Sequence, residues 1–127
     1  MSRTSFLKLA SGTVVLFLVL CFGTAEALEA QQSRRIEQLI VSVQQLEGAK
    51  FVRNGSEYDG KEAAAHLRLK LRNAGSRVQS AEDFIDLCAT KSYFSGQPYR
   101  IVFPGGKTVP SGEFFRQQLR KNDLAVK

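Results

Sequence analysis

Cysteine is scarce in this chain of 127 residues: Cys21 sits in an apolar leader, and Cys88 stands alone in the rest of the chain. The body of the protein can form no internal disulfide, although small exported domains commonly depend on them. His66 is the only histidine. With one Cys and scattered carboxylates it makes no closely spaced ligand pair, so a zinc site of three or four protein ligands is not expected, and neither is any other cofactor. There is no GxSxG elbow, no HExxH, no cysteine pair and no phosphate-cradling glycine loop. Internal repeats, low-complexity segments and an interdomain linker are missing too. The interleaved basic and aromatic pattern of a nucleic-acid module is also absent, which argues against such a partner despite the basic balance.

What is present begins with a leader. Arg3 and Lys8 precede an apolar run from Val14 to Phe22, and Ala25-Glu26-Ala27 fits the small-x-small rule of signal peptidase. Residues 1–27 therefore read as a signal peptide cleaved after Ala27. The apolar run is shorter than the roughly 20 residues needed to span a bilayer, so no stable membrane anchor is expected after processing. Bulky Leu20 before Cys21 excludes a lipoprotein. Residues 28–127 then form a single domain of 100 residues, the full 127 less the 27 of the leader. Cleavage removes Arg3 and Lys8 from the 18 basic residues and Glu26 from the 12 acidic ones, leaving 16 against 11, a net charge of +5. Such a balance favours anionic partners.

The organising stretch is Phe51 to Leu71. Phe51, Val52 and Arg53 favour a strand, and Asn54-Gly55 suits the two positive φ angles of a type I′ turn. That turn pairs Arg53 with Ser56 and Phe51 with Tyr58. A plain loop into the next helix is the alternative. Asn54-Gly55-Ser56 is also a glycosylation sequon, read here as a turn. Asp59 with Glu62 predicts a capping box, and Gly75 a helix end. His66 to Arg72 alternates in polarity as a strand would, but the Ala63–Ala65 run and the absence of β-branched residues favour helix. On the helical wheel Ala63, Ala64, Leu67, Leu71 and Ala74 share a face, with His66, Lys70 and Asn73 on one flank and Arg68 and Arg72 on the other. Leu69 lies outside the face, which predicts cover from a second direction.

The remaining elements come in order. Ser33 to Leu46 predicts an amphipathic helix carrying Ile36, Leu39, Ile40, Val43 and Leu46, with Gly48 just past its end. Ser80 with Asp83 opens a helix from Ala81 to about Thr90, with Phe84, Ile85 and Cys88 facing inward. Ser95-Gly96-Gln97-Pro98 is a turn. Tyr99 to Phe103 is a strand, turned by Pro104-Gly105-Gly106 toward an extended piece at Lys107 to Val109. Ser111 is the expected cap of a last helix through Lys121, with a frayed tail after Asn122. The order α-β-α-α-β-β-α predicts an α+β fold of about four helices on a small antiparallel sheet.

The segments FVRNGSEY, EAAAHLRLKL, AEDFIDLCA and SGQPYRI, at these spacings, resemble a family of small exported proteins of Gram-negative bacteria classed as a domain of unknown function. The likeness runs from about Ile36 to Leu119. It implies a bacterial source and a periplasmic location, and supplies no catalytic residues.

The polar groups most able to act together are Arg53, Asn54, His66 and Arg68, because a helix following a hairpin can fold back beside the hairpin tip. Ser95 and Tyr99 of the SGQPY turn can join them, and Arg72 extends the basic flank. The blander reading is a solvated Arg53 and a boundary His66 bonded to backbone. Two functions remain. One is a non-catalytic envelope protein binding an anionic ligand or a protein partner through the basic helix surface. The other is a small hydrolase-like enzyme using His66, with or without Cys88 as nucleophile. A lysozyme-inhibitor role is disfavoured, since a basic protein repels a basic enzyme. The inward position of Cys88 predicts a buried core residue, and Asp83 and Asp86 near it would raise its thiol pKa and keep it unreactive.

Overall fold

The computed structural model describes residues 24–127. The charged start and apolar run of the leader lie outside the described residues. The chain divides into Met1–Gln31 and Gln32–Lys127. Of the first unit, residues 24–31 are helical and exposed. No helix among the described residues is long and apolar enough to cross a membrane.

Helix α1 covers residues 24–44, so Ser33 is an exposed position inside it and not its start. The stretch before Ser33 is rich in Ala, Glu and Gln, whose helix propensity sustains the helix before any apolar stripe begins. Ile36, Leu39, Ile40 and Val43 are the buried stripe. Strands β1 (Lys50–Arg53) and β2 (Ser56–Tyr58) form the expected hairpin, with Phe51 opposite Tyr58 and Arg53 opposite Ser56. Asn54 and Gly55 have φ of +50° and +79°, as a type I′ turn requires, so the loop alternative is excluded.

Helix α2 (Gly60–Ala74) opens with the full capping box: Glu62 N–H donates to Asp59 Oδ1 at 2.8 Å, and Asp59 N–H to Glu62 Oε2 at 2.9 Å. Its first residue is glycine for a packing reason. A Cβ at Gly60 would lie 2.6 Å from the Val43 carbonyl oxygen, so only glycine lets α2 start against the end of α1. Ala64, Leu67 and Ala74 are buried as the wheel predicts. Leu69 is not covered; it stays 44% exposed.

After a 3-10 turn (Gly75–Arg77), α3 (Ala81–Phe84) is capped by Ser80, whose Oγ accepts from Asp83 N–H at 3.0 Å. The predicted helix to Thr90 is not α-helical throughout. From Ile85 to Ala89 it widens into a π turn, closed where Thr90 Oγ1 donates to the Ile85 carbonyl at 2.7 Å. Strands β3 (Arg100–Val102) and β4 (Thr108–Pro110) complete an antiparallel sheet of order β2-β1-β3-β4.

Helix α4 (Ser111–Ala125) follows β4 with no loop. Ser111 is therefore inside the first turn instead of capping it: Pro110 holds the cap position, and Ser111 N–H donates to the Tyr99 carbonyl at 2.8 Å. The helix also continues past Asn122, where fraying was expected, because Asp123 is tied to Arg35. The architecture is α+β: helices on a small antiparallel sheet, with the β1–β2 hairpin making the order α-β-β-α-α-β-β-α. Phe51 and Ile101, paired across the sheet, face a core that includes Leu39, Ile40, Phe84 and Phe115.

Candidate functional site

The hairpin and α2 come together through one contact. Arg53, the last residue of β1, reaches His66 in the second turn of α2. Its Nη1 lies against both ring nitrogens, 3.2 Å from Nδ1 and hydrogen-bonded to Nε2. A guanidinium only donates, so the imidazole must accept and be neutral. The environment agrees: burial first, then the charges of Arg53 and Lys70, holds the His66 pKa below its ordinary value. The Arg53 Nε–H is buried and has no partner.

One turn along α2, Lys70 Nζ donates to the Tyr99 hydroxyl at 2.8 Å and to the Lys91 carbonyl at 3.2 Å. Arg53, His66, Lys70 and Tyr99 border a groove of about 400 Å³ between α2 and the segment leading into β3. Arg77 also lines it, its Nε donating only to the carbonyl of Ala74 in its own turn. Leu69, Leu87, Tyr93 and Phe94 supply apolar walls. Among the described residues that line it there is no Asp or Glu. A separate small cavity of about 40 Å³ lies behind Arg53 and His66, with Phe51, Leu67 and Phe115 in its wall.

Asn54 and Ser95 join this end of the molecule through the turn before β3. Ser95 Oγ donates to Asn54 Oδ1 at 2.6 Å, and Asn54 Nδ2 donates to the buried Ser92 Oγ at 3.2 Å. The amide of Asn54 thus pins the turn over residues 92–96 to the hairpin tip and holds the groove wall in place.

Of the residues singled out from the sequence, Arg53, Asn54, His66, Ser95 and Tyr99 come together. Arg68 and Arg72 do not. They lie on the opposite flank of α2, where Arg68 Nη2 pairs with Glu37 at 2.6 Å and Nη1 donates to Gln44 at 3.3 Å. Arg72 is exposed. Cys88 is 1% exposed, and the ring of His66 is engaged by Arg53, not by that thiol. Burial raises the Cys88 pKa, while Lys70 and Arg77 pull weakly the other way. The cause is desolvation and not the neighbouring aspartates.

Lys70 and Arg77 were readable as basic but not as groove residues. Lys70 had a signal, since it follows His66 by one helical turn. Leu87 had none, because the π turn that exposes it leaves no mark in the apolar spacing. Tyr93 and Phe94 precede a Ser-Gly turn, a place where aromatic side chains find no core.

The sequence profile described as "Family of unknown function (DUF5329)" matches residues 30–123. A relative from Salmonella typhimurium, "Uncharacterized protein YfeK", is 38% identical over 85 residues, covering 67% of this chain and 71% of that protein. No solved structure matches. Hairpin, capped α2 and the SGQPY turn, which together build the groove, all fall within the matched span, and the chain belongs to this family of unknown function.

Proposed function

We propose that this protein is an exported, non-catalytic periplasmic protein that binds an anionic ligand in the groove between α2 and residues 92–99. One observation carries the reading: the groove gathers Arg53, His66, Lys70 and Arg77 with no carboxylate among its described lining residues. Several arginines elsewhere are matched. Arg35 pairs with Glu82 and Asp123, Arg68 with Glu37, and Arg116 with Asp86. Lys70 and Arg77 hold only hydroxyl or carbonyl oxygens. A concave site with unmatched charge of one sign and low-dielectric walls concentrates the opposite sign. Hydrolytic chemistry draws no support, because His66 is committed to a cation and Cys88 to the core.

Calorimetric titration with hexyl phosphate at low salt tests this. Binding should weaken as salt rises, and Lys70→Gln with Arg77→Gln should lower affinity tenfold or more. The loss should follow those residues and not Arg68 and Arg72. Equal binding of uncharged hexanol, or an unchanged affinity in the double variant, overturns the reading. Export has its own test. The intact mass of the protein in a periplasmic extract should correspond to a chain starting at Leu28, and a full-length chain held in membranes would contradict it.

A further inference from the structure

We infer that the groove's ligand is an anionic amphiphile: a carboxylate or phosphate monoester whose short aliphatic or aromatic tail lies over Leu69, Leu87, Tyr93 and Phe94. The inference rests on the proposal of anion binding and adds the tail.

The distribution of exposed apolar side chains carries it. Large hydrophobic residues left open to solvent among the described residues are Leu28, Leu124 and Val126 near the ends of the described chain, and Leu69, Leu87, Tyr93 and Phe94. All four of the latter line the cationic groove. They are exposed by 44%, 46%, 82% and 94%, and exposed apolar side chains gathered in one place mark interaction sites.

Each is out for a local structural reason, and these reasons are independent. Leu69 departs from the buried stripe of α2, which is satisfied by Ala64, Leu67 and Ala74. Leu87 sits in the π turn, whose buried residues are Ile85, Cys88 and Ala89. Widened turns of this kind are frequently found at functional sites. Tyr93 and Phe94 project from the turn pinned by Asn54, packed edge to face on each other with ring centres 6.0 Å apart. Both rings line the groove that holds Lys70 and Arg77. Cationic and apolar side chains lining one groove match a ligand with both.

Size selects a monomeric ligand over a membrane surface. An apolar cavity of about 150 Å³ takes one benzene, so a groove of about 400 Å³ accommodates roughly two or three such units. That suits a head group with a tail of about six to ten carbons. A bilayer would be met by a flat or convex face, not by a recess.

The test is a calorimetric series of methyl, butyl, hexyl and octyl phosphate, each below its aggregation concentration, on the full processed protein. Affinity should rise about twofold to fourfold per added methylene, as apolar burial dictates, and level off once the groove is filled. Leu69→Ser with Leu87→Ser should flatten the slope; both positions are half exposed, and an unchanged melting temperature will verify folding. If methyl phosphate binds as tightly as octyl phosphate, the anion reading stands and this inference falls. If hexanol binds as well as hexyl phosphate, the anion reading itself falls. An unaltered slope in the Leu variant, or binding to phosphatidylglycerol vesicles with none to the monomeric esters, also overturns the inference.

Discussion

Lys70 and Tyr99 meet across 29 positions of sequence, with the ammonium nitrogen 2.8 Å from the phenol oxygen and 4.7 Å from the ring centre. A cation centred above the ring could not come so near the hydroxyl. The nitrogen therefore lies off the ring edge, and the hydrogen bond, not the π face, orients it. Tyr99 N–H in turn donates to the Thr90 carbonyl at 2.9 Å. The segment after the π turn thus sets where the groove's ammonium stands.

From this pair comes the first prediction. Tyr99→Phe keeps the ring and removes the acceptor, so Lys70 retains its charge but loses its aim. Stability should fall by about 1 kcal/mol, the usual net value of one intramolecular hydrogen bond. Affinity for hexyl phosphate should drop severalfold, less than in Lys70→Gln. An affinity equal to that of the unaltered protein would show that the hydroxyl does not position the ammonium.

Arg35 illustrates what local pattern cannot reveal. Its Nε and Nη2 donate to Asp123 Oδ1 and Oδ2 at 3.2 and 2.9 Å, and Nη2 also donates to Glu82 at 3.0 Å. Asp123 and Glu82 together raise the Arg35 pKa, and Arg35 lowers that of Glu82. Arg35 is 18% exposed against 45% for Asp123 and 59% for Glu82, so solvent screens each pair. Arg35→Ala should cost about 1–2 kcal/mol in urea unfolding, with a smaller loss at high salt. It should also fray the last turn of α4, seen as faster amide exchange after Asn122. Unchanged exchange there would refute the clamp.

Hairpin, capping box and burial stripe of α2 could all be read in advance because each depends on residues within a few positions of one another. Asn54-Gly55 imposes its turn wherever it stands, and Asp59 with Glu62 caps α2 from inside its own first turn. Ser111 misled because its cap position belonged to Pro110, already paired with Arg100 across the sheet. The groove followed the same division. Arg53 and His66 are neighbours through a short connection, while Arg77, Leu87 and Phe94 reach it only through tertiary placement. Arg68 lies on the flank away from His66, as the helical wheel places it, and α1 presents Glu37 to it there.

Cys88 gives the third prediction. It is buried in the π turn, with its pKa raised by desolvation. The folded protein should react with a thiol reagent at neutral pH roughly a hundredfold or more slowly than the denatured chain. Cys88→Ala should cost on the order of 1 kcal/mol, as small core truncations do, and leave hexyl phosphate affinity unchanged. Rapid labelling of the folded protein would restore Cys88 as a candidate nucleophile.

His66 gives the last, with two effects of opposite sign. Arg53 faces it from β1, Lys70 stands one turn along α2, and Tyr99 and Arg77 border the same groove. Burial and the two nearby cations hold its pKa below the ordinary 6.5. Above that value the imidazole is neutral in both the folded and unfolded chain, and contributes no pH dependence. Below it, the unfolded chain takes up a proton that the folded site resists, so the free protein loses stability until the folded site also protonates. An anion in the groove reverses the local field and favours the imidazolium. Binding should therefore draw in a proton, and affinity should rise as pH falls through the same range. Calorimetry of hexanoate, a carboxylate that stays ionised at about pH 6 where a phosphate monoester itself titrates, in buffers of different ionisation enthalpy should report this uptake. His66→Gln should abolish it and flatten the acid limb of the stability curve. If enthalpies agree across buffers in the unaltered protein, the bound anion is not near His66, and the head group must be sought nearer Arg77.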